Sequence, residues 1–209
     1  MKKLLVIIIA GTTLLLGAVG IAYWMSWQPQ TWYVPVEYEK PEVKMLADRA
    51  EYRLNEEFHK VRSAEDVWRL RVTDEAMNAW LSGRLEGWLT HDQDIEFPKE
   101  IQNPQIHVTP NGIWLGAMVE IEDDPPRPIA LKLWVEVIDG IANVSPVAIR
   151  LGKVPIPLSV FGKIIQEAQE KTGDFALIVP LMDDREVQIQ EIMFEEGALV
   201  LTCQTYLPQ

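Results

Sequence analysis

Cysteine is almost missing from this chain: Cys203 is the only one. One thiol cannot close an internal disulfide, so stability has to come from packing, and without a C-x-x-C pair there is no redox couple or thiolate zinc site. Cys203 sits in an apolar terminal strand and reads as a small buried hydrophobe. Histidine is nearly as scarce. His59, His91 and His107 stand far apart, none has a second ligand at H-x-x-x-H spacing, and each reads as an ordinary surface or hydrogen-bonded residue. There is no G-x-S-x-G elbow and no phosphate-binding glycine loop. Carboxylates are plentiful, yet nothing singles out a catalytic pair. Glu120, Glu122, Asp123 and Asp124 offer hard oxygen ligands, but a solvated turn between strands explains them better. No catalytic residue, metal ligand or cofactor is assigned, and the chain reads as a non-enzyme.

Positive charge is in short supply. Against 31 Asp and Glu stand 19 Lys and Arg, for a net charge of −12. Lys2 and Lys3 lie ahead of every acidic residue, so beyond them 17 basic residues meet 31 acidic ones, a net of −14. Such a domain is repelled by nucleic acid and by anionic headgroups, so no nucleic-acid partner is expected.

What the chain does have is a charge-free apolar run from Leu4 to Trp24. At 1.5 Å per residue it makes a helix of roughly 31 Å, about the hydrocarbon thickness of a bilayer. Lys2 and Lys3 precede it and no Lys or Arg follows before Lys40. The positive-inside rule therefore keeps the N-terminus in the cytoplasm and sends the rest across. Tyr23, Trp24, Trp27, Trp32 and Tyr33 fall where interfacial aromatics belong. The run outlasts a usual signal-peptide core and continues past the small-residue site Ala18-Val19-Gly20, so it reads as a retained anchor rather than a cleaved signal. The expected organisation is residues 1–3 in the cytoplasm, 4–24 as a transmembrane anchor, 25–41 as an extended stem, and 42–209 as an exported α+β domain in the cell envelope.

Beyond the stem, Val43, Leu46, Ala47, Ala50, Leu54, Phe58 and Val61 recur at three and four residues. That spacing predicts a helix from Pro41 to Val61 with one packed and one solvated face. Val67 to Val72 reads as a strand. Thr73 is a good N-cap, and Asp74 and Glu75 suit the positive end of the helix it opens. Met77, Trp80, Leu81, Leu85, Trp88 and Leu89 give that helix a core stripe. From Pro104 the period changes to two: Ile106 and Val108 lead into the turn Pro110-Asn111-Gly112, and Ile113, Leu115, Ala117, Val119 and Ile121 return on one face. Ile129 to Val137 repeats the alternation, Asp139-Gly140 turns the chain, and Ile141 to Val154 supplies another strand. A helix is expected from about Pro157 to Lys171, with Gly173 as its stop. A hairpin about Glu195-Glu196-Gly197 closes the chain. The sum is α+β: a mainly antiparallel curved β-sheet of six or seven strands packed with two or three helices. Hairpin connections argue against a doubly wound nucleotide-binding fold.

Two stretches depart from a plain core. Opposite the aliphatic set, Trp114, Gly116, Met118 and Trp134 make the outer sheet face apolar where polar alternation is usual. That suggests a second apolar surface, covered by the chain's own helix or stem, by a partner or by a lipid. Phe175 to Met182 runs without a charge and reads either as a buried strand or as the lining of an apolar groove. The candidate ligand or partner surface is therefore Trp114, Met118, Trp134, Phe161, Ile165 and Phe175.

Residues Ile149-Arg150-Leu151-Gly152-Lys153-Val154-Pro155-Ile156-Pro157-Leu158-Ser159-Val160-Phe161 resemble a glycine-proline strand end that leads into a helix in the YpmS-like family of membrane-anchored bacterial proteins of unknown function. Thr73-Asp74-Glu75-Ala76-Met77-Asn78 is similar to that family's threonine-led helix with an asparagine. The likeness covers residues 66 to 206 in element order and implies an N-terminal anchor carrying one exported domain. More loosely, helices laid in a long curved sheet look like tubular lipid-binding domains, an analogy of fold and not of function. Two partners follow: a lipid or other apolar ligand, or another envelope protein docked on the apolar sheet face by a non-catalytic scaffolding subunit. A hydrolase site assembled from residues distant in sequence is a third reading. The acidity leaves retention of any lipid to an apolar groove rather than to basic headgroup contacts.

Overall fold

A computed structural model describes residues 2–63, 66–121, 124–138, 140–163, 165–166, 175–181 and 183–206. Helix α1 spans Lys2–Ser26, and its segment Ile8–Ser26 is long and apolar enough to cross a membrane. Helix α2 covers Pro41–His59, with Pro41 in the first turn, where its missing N–H has no intrahelical bond to lose. Strand β1 (Val67–Thr73) passes without a loop into α3 (Asp74–Gly87), and the Thr73 hydroxyl accepts the Ala76 N–H at 3.3 Å, as the sequence predicts for an N-cap. A π-helical turn, Trp88–Asp92, ends the helix.

The remaining strands are β2 (Ile101–Thr109), β3 (Gly112–Val119), β4 (Arg127–Ile138), β5 (Ile141–Leu151), β6 (Val154–Ile156), β7 (Phe175–Ala176), β8 (Ile178–Pro180), β9 (Glu186–Glu195) and β10 (Ala198–Tyr206). The architecture is α+β with antiparallel pairing throughout. The strands expected in one curved sheet divide between two. One has the order β1-β10-β9-β8, and the other runs β2-β3-β4-β5-β6 with β7 added on β5. The hairpin turns fall where the glycines put them. Gly112 has φ +117°, and a Cβ there would strike the Leu133 carbonyl oxygen of the neighbouring strand.

The charge-free stretch after residue 174 is two short strands in different sheets. Phe175 pairs with Ala142 of β5, while Ile178 pairs with Gln188 of β9. Leu177 between them donates its N–H to Gly140 and accepts the Ile189 N–H, both at 2.9 Å, and so ties one sheet to the other. The helix expected from Pro157 starts as a 3₁₀ turn, Leu158–Phe161, with no buried residue. Its continuation through Ile164 and 167–171, the stop at Gly173, and the expected residues Glu122, Asp123, Asp139 and Met182 lie outside the described residues.

The core of the first sheet gathers Phe58 of α2 with Leu70, Val187 and Cys203, flanked by Trp68, Ile189 and Leu201. Cys203 is fully buried, and that burial pushes its thiol up to about 11, which suits a packing role and not a nucleophile. Buried Arg185 closes the C-terminal end of α2: its guanidinium donates to the Lys60 and His59 carbonyls at 2.9 and 3.1 Å and is held by Asp183. Those carbonyls have no intrahelical partner of their own.

Helix α3 fixes the two sheets to each other. Strand β2 is the edge of the second sheet, and its outward backbone groups would otherwise be open to pairing with another chain. Asn78 takes the place of a neighbouring strand: its amide donates to the Ile106 carbonyl at 2.8 Å and accepts the Ile106 N–H at 2.6 Å. One turn earlier Asp74 accepts the Val108 N–H at 3.0 Å and holds the His107 ring at 2.9 Å. Replacing Asn78 with Ala leaves both Ile106 groups unpaired, at about 1–3 kcal/mol for a buried unsatisfied group. Urea unfolding of Asn78→Ala is expected to show a loss of about 2 kcal/mol at unchanged m-value; a loss below about 0.5 kcal/mol contradicts this role.

Candidate apolar ligand site

The stem does not hang free. It lies across the face of the second sheet that carries Gln105, Gly116 and Ala130, and Tyr33 is buried there. Gln105, itself buried, accepts the Val34 N–H at 3.0 Å and donates to the Val34 carbonyl, so a side-chain amide again stands in for a strand. The Tyr33 hydroxyl donates to Asn103 at 2.8 Å, and burial pushes its phenol up to about 12. Trp32 stacks on His107 at 5.3 Å. At the α1 end, Lys153 N–H donates to the Met25 carbonyl at 3.0 Å, Gln30 donates to Gly152 and accepts from Arg150, and Arg127 covers the Trp27 ring at 4.3 Å. The end of α1 is thereby joined directly to the β5–β6 turn.

Of the six residues expected to form one surface, Trp114, Met118 and Trp134 lie by register on one face of the second sheet, and the other three come from elements outside β3 and β4. Trp114 and Met118 share the stem-covered face, with Arg150 over the Trp114 ring at 5.0 Å and Lys132 at 5.7 Å. Trp134 packs on Phe194 of β9 with ring centroids 5.0 Å apart, which leaves it 40% exposed. Phe161 and Ile165 are half-buried in and after the 3₁₀ turn, and Phe175 sits in β7 against β5. Among the described residues no ring contact links any two of them.

Among the described residues a wide apolar concavity lies elsewhere, along the stripes that spacing assigned to packed helix faces. A groove of about 670 Å³ opens between α2, α3 and β1. Its α2 wall is Leu46, Ala50 and Leu54, and its α3 wall is Ala76, Met77, Trp80 and Leu81. Leu70 and Val72 of β1 make the floor, with Trp88 and Ile106 completing the lining. Trp80 and Trp88 meet edge to face at 6.0 Å. The groove is open to solvent, since Leu54 remains 39% and Trp88 41% exposed. Its volume lies within the range of about 300–1,000 Å³ usual for small-ligand pockets. Arg49 and Arg53 of α2 also line it, with Glu51 and Asn55, whereas Arg71, between the floor residues Leu70 and Val72, turns to the other face of the sheet and pairs with Glu195 at 3.0 Å. A second cleft, of about 460 Å³ beneath the stem, carries Glu42, Asp74 and Glu75 and is far less suited to an apolar guest.

These stripes are packed in part, with Ala47, Phe58 and Ala79 buried, and in part line the groove. An i, i+3, i+4 pattern marks a face that avoids water, and it is the same for a packed core and for a groove that a guest completes. Leu54 is the α2 stripe residue left most exposed, at 39%, while α2 ends at His59, two residues short of the expected Val61, which lies outside the helix.

No family model matches the chain, and no curated protein matches it. Among the described residues no group of three or more His, Cys, Asp or Glu is placed to hold a metal ion.

Gly116 tests the seat of the stem. A Cβ built there would stand 2.6 Å from the Trp32 ring and 3.0 Å from Tyr33, too close for any rotamer to relieve without moving the stem. Gly116→Leu is expected to lift Trp32 and Tyr33 and expose the chain near Val34 to limited proteolysis. A cleavage pattern identical to the parent's contradicts the stem's role as a cover.

Proposed function

We propose that this chain is a single-pass envelope protein, N-terminus in the cytoplasm, whose exported domain holds one acyl chain of a lipid or similar apolar ligand in the groove between α2, α3 and β1. The observation that carries the reading is the groove itself: an open, ligand-sized concavity whose walls are aliphatic and aromatic side chains from three elements. Monomeric proteins rarely leave a contiguous apolar surface uncovered unless something occupies it. The charge asymmetry about α1, with Lys2 and Lys3 ahead of it, supports the orientation. The resemblance to the YpmS-like family, with its anchor and exported domain, agrees with this organisation, and the Thr73–Asn78 match falls on the helix that forms one groove wall.

The mechanism is shielding. Each methylene moved from water into the groove contributes about 0.8 kcal/mol, so a chain of even moderate length is retained without polar contacts. A scaffolding role through the Trp114/Trp134 face has less support, because Arg150 covers one ring and Phe194 the other.

An acyl chain carrying bromine atoms quenches tryptophan on contact, and the groove contains Trp80 and Trp88. The full chain in non-ionic detergent is expected to lose part of its tryptophan emission on addition of brominated stearate. That loss should fall by at least half in Trp80→Phe/Trp88→Phe. Quenching that the double variant leaves unchanged places the chain somewhere else.

A further inference from the structure

The rim of the groove runs against the charge of the domain around it. A net of −14 beyond the anchor disfavours anions in general. Yet Arg49 and Arg53, one turn apart on α2, both belong to the lining of this one opening. Most other guanidinium groups are engaged. Arg62 holds Glu57, Arg84 holds Asp48, Arg127 holds Asp124, Arg185 holds Asp183, and Arg150 donates to Gln30. Arg71 meets Glu195 at 3.0 Å, with both side chains about half exposed. Arg49 and Arg53 have no ion-pair or hydrogen-bond partner among the described residues. Arg69 shares that condition but is not part of the groove lining. The one carboxylate in the lining, Glu51, lies 4.0 Å from the Arg84 guanidinium.

We infer that the ligand is a single-chain anionic amphiphile whose carboxylate or phosphate oxygens are held by Arg49 and Arg53 while its chain lies over Leu54, Trp80 and Leu70. This rests on the groove reading above and adds the head group to it. The spacing supports it: residues four apart on a helix present neighbouring side chains, so the two guanidinium forks serve one head. A planar fork matches a carboxylate or phosphate with paired N–H donors, which a lysine would not. Because both arginines are exposed, the attraction is screened by salt, whereas the apolar part is not. The local pair of cations at the groove, not the overall charge, then selects the ligand.

The test uses the full chain in non-ionic detergent and three probes with the same hydrocarbon: oleate, oleyl phosphate and oleyl alcohol. Binding is read by native mass spectrometry as the concentration at half occupancy. The anions are expected to bind at least tenfold more tightly than the alcohol, with the order between them identifying the preferred oxygen head. Arg49→Gln/Arg53→Gln, which keeps good helix formers on an exposed face, should bring both anions to the level of the alcohol and leave the alcohol unchanged. Equal binding of all three probes, unaltered in the variant, overturns the head-group assignment while the apolar groove stands. Failure of all three to bind overturns the groove reading and this inference with it.

Discussion

The junction at Thr73, Asp74 and Gly197 holds the rest of the molecule in place. Thr73 is the last residue of β1 and pairs with Ala198 in the first sheet. Asp74, next in the chain, already bonds the edge of the second sheet through Val108. Gly197, at the turn of the β9–β10 hairpin, accepts the Asp74 N–H at 2.9 Å and donates to the Val108 carbonyl at 3.0 Å. Two sheets with few shared contacts are thus fastened where strand becomes helix. Since α3 must leave that point along the β2 edge, it stands beside α2 over β1, and the space left between them is the groove. The Thr73–Asn78 segment therefore contributes to the site through backbone placement: Thr73 caps the helix, Asp74 and Asn78 seal the edge, and the intervening Ala76 and Met77 face the groove.

A second constraint acts from the α1 side. Prolines and aromatics between residues 25 and 41 suggest a spacer, but a spacer would leave Gln30, Tyr33 and Gln105 without their partners. The stem is instead part of the packed domain, and the Met25 carbonyl bonded to Lys153 carries that packing to the end of α1. The apolar outer face at Trp114 and Met118 then has an internal explanation, as the seat of the stem.

Much of this was legible in the sequence wherever a local rule operates. Turn glycines at 112, 140 and 197 placed the hairpins, Thr73 announced α3, and period two marked the strands. The division into two sheets was not legible, because it depends on β1 pairing with β10 from the far end of the chain, and alternation is the same for either partner. Cover of the Trp114 and Met118 face by the stem was one of the readings the sequence left open, and it could not be singled out. The stem's anchors are side-chain amides bonded to backbone, an interaction with no periodic signature. Arg49 and Arg53 read as the solvated face of an amphipathic helix, and only the placement of α3 and β1 beside them makes a rim.

The central claim, that the groove holds one acyl chain, is tested most directly on the protein as its own membrane supplies it. Full chain extracted in a mild non-ionic detergent, without added lipid, should show by native mass spectrometry one bound amphiphile per chain, released on unfolding and identified by its mass. An unliganded mass, obtained under extraction gentle enough to keep the fold, would contradict the claim and leave the apolar walls of α2 and α3 without an occupant.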